Sequence, residues 1–143
     1  SAAIAAGASD DMVKSAKDYA VALGLAFQIK DDILDYAGTD VVGKPLGADI
    51  LEQKITMPLL GALNSAGNSE EGVIRQKISE IVSHPEYRDE IVDFVKNNGG
   101  LEYAVSRLNS YVEQAVKALD AFPESEARES LVKLAYFTAD RVM

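Results

Sequence analysis

Three aspartates, Asp31, Asp32 and Asp35, lie within five positions of one another in a stretch with the pattern of a long helix. On a helix of about 3.6 residues per turn, Asp35 falls roughly 40° and Asp32 roughly 100° from Asp31. Carboxylates that point at one place on a buried helix repel one another unless a cation lies between them. Ligands that are all oxygen favour Mg²⁺ or another hard ion over zinc or copper.

The residues around the aspartates bear on this metal-site prediction. Gln28 falls roughly 60° and Gly24 roughly 20° from Asp31 on the same wheel, and the opposite face is apolar. The alternative is a solvated acidic face, which would need neither this glycine nor the neighbouring Phe27. An EF-hand fits poorly, because the twelfth position of its loop would be Val42 instead of glutamate.

Two lysines follow in the next segment, Lys44 in a loop rich in glycine and proline and Lys54 just before Thr56. Alone, each lysine would be an ordinary surface residue. The Gly43-Lys44 pair is not a P-loop, because the preceding glycine and the following Ser or Thr are missing.

The composition limits the class of protein. The 143 residues are 48% hydrophobic, which predicts a real core in one domain or part of one. A net charge of −9 argues against a nucleic-acid partner. The chain has no cysteine, no apolar run as long as a membrane span and no signal peptide, so we expect a cytoplasmic location. Because the chain begins at Ser1 without a helix start signal, we also expect it to be a fragment.

The apolar residues recur with the helical period throughout, and no strand is predicted. Short loops predict mostly antiparallel neighbours in an all-α chain of about six helices. The predicted helices cover about 10–37, 56–64, 69–82, 86–98, 101–121 and 126 to the end, with a short turn capped by Asp49.

The aspartates and the block that follows them resemble the trans-isoprenyl diphosphate synthases, the polyprenyl synthetase family. The stretch Gly24-Leu-Ala-Phe27-Gln28-Ile-Lys-Asp31-Asp32-Ile-Leu-Asp35 is similar to the family's second aspartate-rich motif. Its next conserved block is similar to Gly43-Lys44-Pro45-Leu46-Gly47-Ala48-Asp49 with Lys54-Ile-Thr56-Met-Pro58. One departure is Gln53, where the family most often has glycine.

This resemblance implies Mg²⁺-dependent head-to-tail condensation of an allylic diphosphate with isopentenyl diphosphate by a homodimeric prenyltransferase. It implies that Asp31, Asp32 and Asp35 bind the metal and that Lys44, Lys54 and Thr56 bind diphosphate. Phe27 and Gln28 would line the pocket near the reacting carbons, and Gln28, Lys44 and Lys54 would assist the chemistry. Packing is an equal alternative for Phe27, and we expect Asp49 to be a cap or an orienting residue.

The resemblance also implies that residues 1–143 form the C-terminal portion of a single helical bundle of the isoprenoid synthase fold. The family's first aspartate-rich motif does not precede Ser1, so we expect the isolated chain to be inactive and to expose apolar faces. Two alternatives stay open: a non-catalytic subunit of a heteromeric synthase, and a terpene cyclase-like enzyme.

Overall fold

The computed structural model describes residues 10–37 and 47–140, and within these ranges it contains helices and no strand. The α-helices are α1 (Asp10–Ala37), α2 (Ala48–Leu51), α3 (Met57–Ser65), α4 (Asn68–Ser79), α5 (Tyr87–Asn97), α6 (Gly100–Ala118) and α7 (Glu126–Ala139). A 3₁₀ turn at Leu119–Ala121 follows α6. The all-α prediction is confirmed, and the short turn predicted near Asp49 is α2.

The long helix α1 begins at Asp10 with two acids in its first turn, where they interact favourably with the positive end of the helix dipole. Its buried face follows the helical period through Ala22, Ala26, Ile29 and Ile33. None of the described helices is both long enough and apolar enough to cross a membrane.

The chain divides into two compact units, and the divisions fall inside α1, after Lys30, and inside α6, before Arg107. Among the described residues, the first unit contains 10–30 and 107–140, and the second contains 31–37 and 47–106. In the first unit the Tyr19 hydroxyl donates a hydrogen bond to the Leu131 carbonyl (2.8 Å) and so ties α1 to α7.

Helix α7 leaves part of its apolar face exposed. The side chains of Leu131, Leu134 and Phe137 are 37%, 42% and 63% exposed. Ala135 and Thr138 are the fully buried residues of this helix. The apolar period of α7 therefore predicts the helix correctly but not the extent to which its face is covered.

Helix α5 lies at the centre of the second unit, where α2, α3 and α4 all pack against it. Gly47, just before α2, has a φ of 74°, and a Cβ there would lie 3.0 Å from the side chain of Arg88 on α5. A Cβ on Gly100 would overlap the Pro58 carbonyl oxygen and the Val95 side chain. Glycine therefore allows close contact at two points around α5.

Helix α4 is shorter than predicted. It ends at Ser79 instead of continuing to Val82, and Val82 is 73% exposed. Val73, which we placed on its apolar stripe, is 52% exposed, whereas Ile74 and Ile78 are buried. Helix α4 packs on α5 through a narrower stripe than its sequence suggested.

Candidate functional site

The three aspartates of α1 have different surroundings. Asp31 is exposed, whereas Asp32 and Asp35 are each only 8% exposed. Within residues 10–37 and 47–140, no three acidic, histidine or cysteine side chains are gathered in a way that could hold a metal ion. The three carboxylates of this helix thus differ in exposure, and the described residues alone do not show a shared cation site. Metal binding by these aspartates stays a prediction.

Asp35 holds the start of α2. Its Oδ1 accepts a hydrogen bond from the Ala48 N–H (3.1 Å) and its Oδ2 accepts one from the Asp49 N–H (3.3 Å). The Gly47 N–H donates to the Asp35 backbone carbonyl (2.7 Å). The N-cap residue Gly47 has no side chain to cap the helix, so the carboxylate of Asp35, 13 residues before Ala48, does so. A negative charge also suits the positive end of a helix.

We expected Asp49 to cap this turn or to orient other groups, but the cap is Asp35. Asp49 lies in the first turn of α2, with its own N–H bound by Asp35. Its side chain has 17% of its surface exposed and lies 4.0 Å from the Lys54 ammonium. Asp49 therefore interacts with Asp35 through its backbone N–H and with Lys54 through its side chain.

Helix α2 ends in a Schellman motif. The Gln53 N–H donates to the Ile50 carbonyl (2.8 Å), and the Lys54 N–H donates to the Asp49 carbonyl (2.9 Å). Gln53 has a φ of 61°, in the left-handed region that this motif requires and that glycine adopts most easily. Glycine, which the family resemblance implied for this position, would adopt this conformation without strain.

Lys54 presents a charged ammonium to solvent at the end of α2. Its side chain is 60% exposed and its Nζ lies 2.9 Å from a carboxylate oxygen of Glu52. The hydrogen bond and negative charge of Glu52, followed by the charge of Asp49, raise the pKa of Lys54 above its ordinary value. Lys54 therefore carries its positive charge at neutral pH, and its contact with a diphosphate stays a prediction.

The hydroxyl groups of Tyr36 and Thr56 are both buried. Neither completes a hydrogen bond of normal geometry, although they lie close to each other. Burial raises the pKa of Tyr36, the carboxylates of Asp35, Asp49 and Asp32 raise it further, and the Thr56 hydroxyl lowers it. The Thr56 Oγ1, predicted to bind substrate, is buried beside this phenol.

Of the other residues predicted for the site, Phe27 and Gln28 lie on α1, and Lys44 is not among the described residues. Phe27, 44% exposed, and Gln28, also exposed, lie on α1 about one turn before Asp31 and Asp32. Lys44 falls in 38–46, outside the described residues. A methyl group on Gly24 would have open space around it.

Sequence reasoning missed two roles in this site, those of Asp35 and Gln53. The link from Asp35 to α2 spans 13 residues and follows no local capping pattern, so no sequence signal predicts it. The role of Gln53 had a signal, since a residue that replaces a glycine after a short helix can occupy the left-handed position.

The donors in this region suit a hard cation, because they are carboxylate and hydroxyl oxygens. Asp35 already uses both carboxylate oxygens to accept the Ala48 and Asp49 N–H groups. The described residues do not form a complete cage. They fit an ion such as Mg²⁺, which keeps several waters and is held jointly by a few carboxylates and substrate phosphates.

Comparisons with known proteins identify relatives of this chain. A family model described as polyprenyl synthetase matches residues 1–95. The chain is 38% identical to octaprenyl diphosphate synthase of Haemophilus influenzae, covering 98% of this chain and 43% of that protein. It is 33% identical to heptaprenyl diphosphate synthase component 2 of Geobacillus stearothermophilus, covering 97% of this chain and 42% of that protein.

The fold is also similar to a solved structure of polyprenyl synthase from Caulobacter crescentus CB15, complexed with calcium and isoprenyl diphosphate. The TM-score is 0.84 at 32% sequence identity, covering 99% of this chain and 43% of that one. This chain thus spans less than half the length of the relatives it matches.

Proposed function

The chain belongs to the polyprenyl synthetase family, and we propose that it takes part in head-to-tail prenyl transfer. In this reaction the carbon–oxygen bond of an allylic diphosphate breaks, and pyrophosphate leaves with the electron pair. The double bond of isopentenyl diphosphate then supplies the electrons of the new carbon–carbon bond. Loss of a proton from the adjacent carbon restores a double bond in the lengthened diphosphate.

One observation carries this proposal beyond family membership. Asp35 caps the start of α2 and a Schellman motif at Gln53 and Lys54 ends it, so that carboxylates and an exposed ammonium belong to one packed unit. A cationic side chain near carboxylates suits a metal–diphosphate complex, in which the metal ion reverses the local charge.

We assign Asp31 as the principal metal ligand in this proposal, with Asp35 and Asp32 as further ligands, directly or through water. Asp31 is the exposed member, so it meets an arriving ion first. Mg²⁺ is our choice of metal, and when bound it neutralises the charge that develops on the departing pyrophosphate.

The other residues bind and orient the substrate. Lys54 and Lys44 donate to the diphosphate oxygens as point charges, and Thr56 contributes a hydroxyl. Phe27 and Gln28, one helical turn before the aspartates, lie near the reacting carbons, where the face of an aromatic ring stabilises a nearby cation. Lys54 stays charged throughout, because its pKa is raised.

We propose that residues 1–143 act as the C-terminal portion of one synthase domain, that the full enzyme is a homodimer and that this chain alone does not turn over substrate. A cytoplasmic location stays a prediction. A subunit role in a heteromeric synthase is the second candidate, favoured by one observation: a relative with 33% identity is named as a component.

Calorimetric titration of the chain with pyrophosphate, with and without Mg²⁺, tests the proposal. We expect Mg²⁺-dependent binding that weakens about tenfold in Lys54→Gln, which is the effect of losing one charged hydrogen bond. Lys96→Gln, which changes an exposed lysine in the last turn of α5, is the matched control and should bind as the wild type does. The proposal fails if pyrophosphate does not bind, or if the two variants weaken binding equally.

A further inference from the structure

Gln53 occupies a backbone conformation that its side chain does not favour. Its φ of 61° is the left-handed position of the Schellman motif that ends α2. An L-residue with a Cβ is strained there, whereas glycine is not. A glutamine at this position therefore calls for a compensating interaction that glycine could not make.

The side chain of Gln53 supplies that interaction. Its Nε2 donates to the carbonyl oxygens of Ile78 (3.4 Å) and Ser79 (3.2 Å). Both carbonyls belong to the last turn of α4, which carries partial negative charge, and the Ile78 carbonyl also accepts a hydrogen bond from the Ile81 N–H (3.2 Å). One amide group thus holds the C-terminal end of a neighbouring helix.

This contact directly joins two helices that otherwise share a third. Helices α2 and α4 each pack against α5, and the Gln53 amide connects the end of α2 to the end of α4. The next residue, Lys54, has its N–H fixed by the same Schellman motif. The direction in which the Lys54 side chain leaves the backbone therefore depends on the conformation held at Gln53.

We infer that Gln53 is a positioning residue for Lys54: its amide ties the end of α2 to the end of α4 and so fixes where the ammonium lies. The inference rests on the proposed function only because that function has the Lys54 ammonium bind diphosphate. The tie between the helices is a property of the free chain and is measured without any ligand.

The decisive variant is Gln53→Glu, which keeps the length and shape of the side chain. It replaces the donating amide with a carboxylate that cannot donate and that repels the two carbonyls. We expect hydrogen exchange at the Gln53 and Lys54 amides to become about tenfold faster in this variant and about fivefold faster in Gln53→Ala. Gln114→Ala, at an exposed glutamine of α6, is the control and should leave these rates unchanged.

Gln53→Gly separates positioning from simple stabilisation. Glycine relieves the backbone strain but removes the tie, so the unfolding midpoint should stay near that of the wild type while exchange at Lys54 becomes faster. Binding of Mg²⁺–pyrophosphate should weaken about threefold to tenfold in Gln53→Gly and Gln53→Ala.

The outcomes distinguish this inference from the proposed function. If the Lys54 amide exchanges as slowly in Gln53→Glu as in the wild type, the tie does not exist. The inference is then overturned, whatever the result of the pyrophosphate titrations. If exchange responds as expected but the wild type binds no pyrophosphate, the proposed function fails and the positioning of Lys54 for diphosphate fails with it. If exchange responds and the variants bind as tightly as the wild type, Gln53 has a structural role only and the inference is overturned.

Discussion

Replacing Asp35 with alanine should destabilise the second unit by removing the only side chain seen to cap α2 within the described residues. The carboxylate accepts two backbone N–H groups, at 3.1 and 3.3 Å, and is 8% exposed. In Asp35→Ala both N–H groups lose this partner, whereas the backbone hydrogen bond from Gly47 to residue 35 can persist.

The magnitude follows from the two lost hydrogen bonds and from the removal of a buried charge. Hydrogen bonds to a charged group are worth about 1.5–3 kcal/mol each, but these are longer than the roughly 2.7–2.9 Å of strong ones, so each belongs at or below the low end. Removal of a buried charge returns part of its desolvation cost. We therefore expect a net loss of about 2 kcal/mol, which lies in the usual range for loss of an N-cap. Asp35→Asn keeps one acceptor oxygen and should lose about 1 kcal/mol.

Asp31→Ala is the matched control, because it removes the same group four residues earlier on the same helix at an exposed position. Asp31→Ala should change the free energy of unfolding by no more than about 0.5 kcal/mol, with a small increase from relief of like-charge repulsion between positions 31 and 35. Urea unfolding followed by circular dichroism measures the free energies. Hydrogen exchange at the Ala48 and Asp49 amides locates the change in Asp35→Ala. Equal unfolding free energies for Asp35→Ala and Asp31→Ala would refute the capping role.

Three further predictions concern packing and titration. Gly100→Ala should lower the unfolding free energy by about 1–3 kcal/mol, because the new methyl group overlaps its neighbours. Gly72→Ala places its methyl group in open space and should raise the unfolding free energy by up to about 1 kcal/mol. The reverse order of stability in urea unfolding would contradict this packing. Because the pKa of Tyr36 is raised above 10.0, its contribution to stability is present below about pH 10 and is lost as the pH rises further. Tyr36→Phe should therefore lose less stability than the wild type between about pH 8 and about pH 11. An equal loss in the two proteins would argue against the pKa shift. Glu52→Gln should lower the pKa of Lys54 toward its ordinary value of 10.5, measured by NMR titration of the lysine side chain, and an unchanged midpoint would exclude Glu52 as the cause.

Much of the fold followed from local patterns in the sequence. The predicted limits of α1, α3 and α5 agree with the structure within one or two residues. Start signals such as two acids in a first turn, and stop signals such as Asn98 followed by Gly99, act within a few residues of the helix end. The apolar period reports which residues are helical, because a helix must place its buried side chains on one face.

Sequence patterns predicted the family and its candidate site residues, but not how those residues are used. The aspartate-rich motif and the lysine–threonine block identified the polyprenyl synthetase family, which the comparisons confirmed. The same motif suggested that all three carboxylates bind one cation, with Asp31 as the principal ligand. Among the described residues, one of these carboxylates is exposed and another caps a helix.

The tertiary structure decided the features that depend on contacts between distant parts of the chain. Asp35 reaches α2 across 13 residues, and Gln53 reaches the end of α4 across 25 and 26 residues. It also decided that Leu134 and Phe137 are largely uncovered. Helix type depends on short-range backbone geometry, which residue order determines, whereas a carboxylate becomes a cap or an exposed candidate ligand according to which distant backbone groups pack beside it.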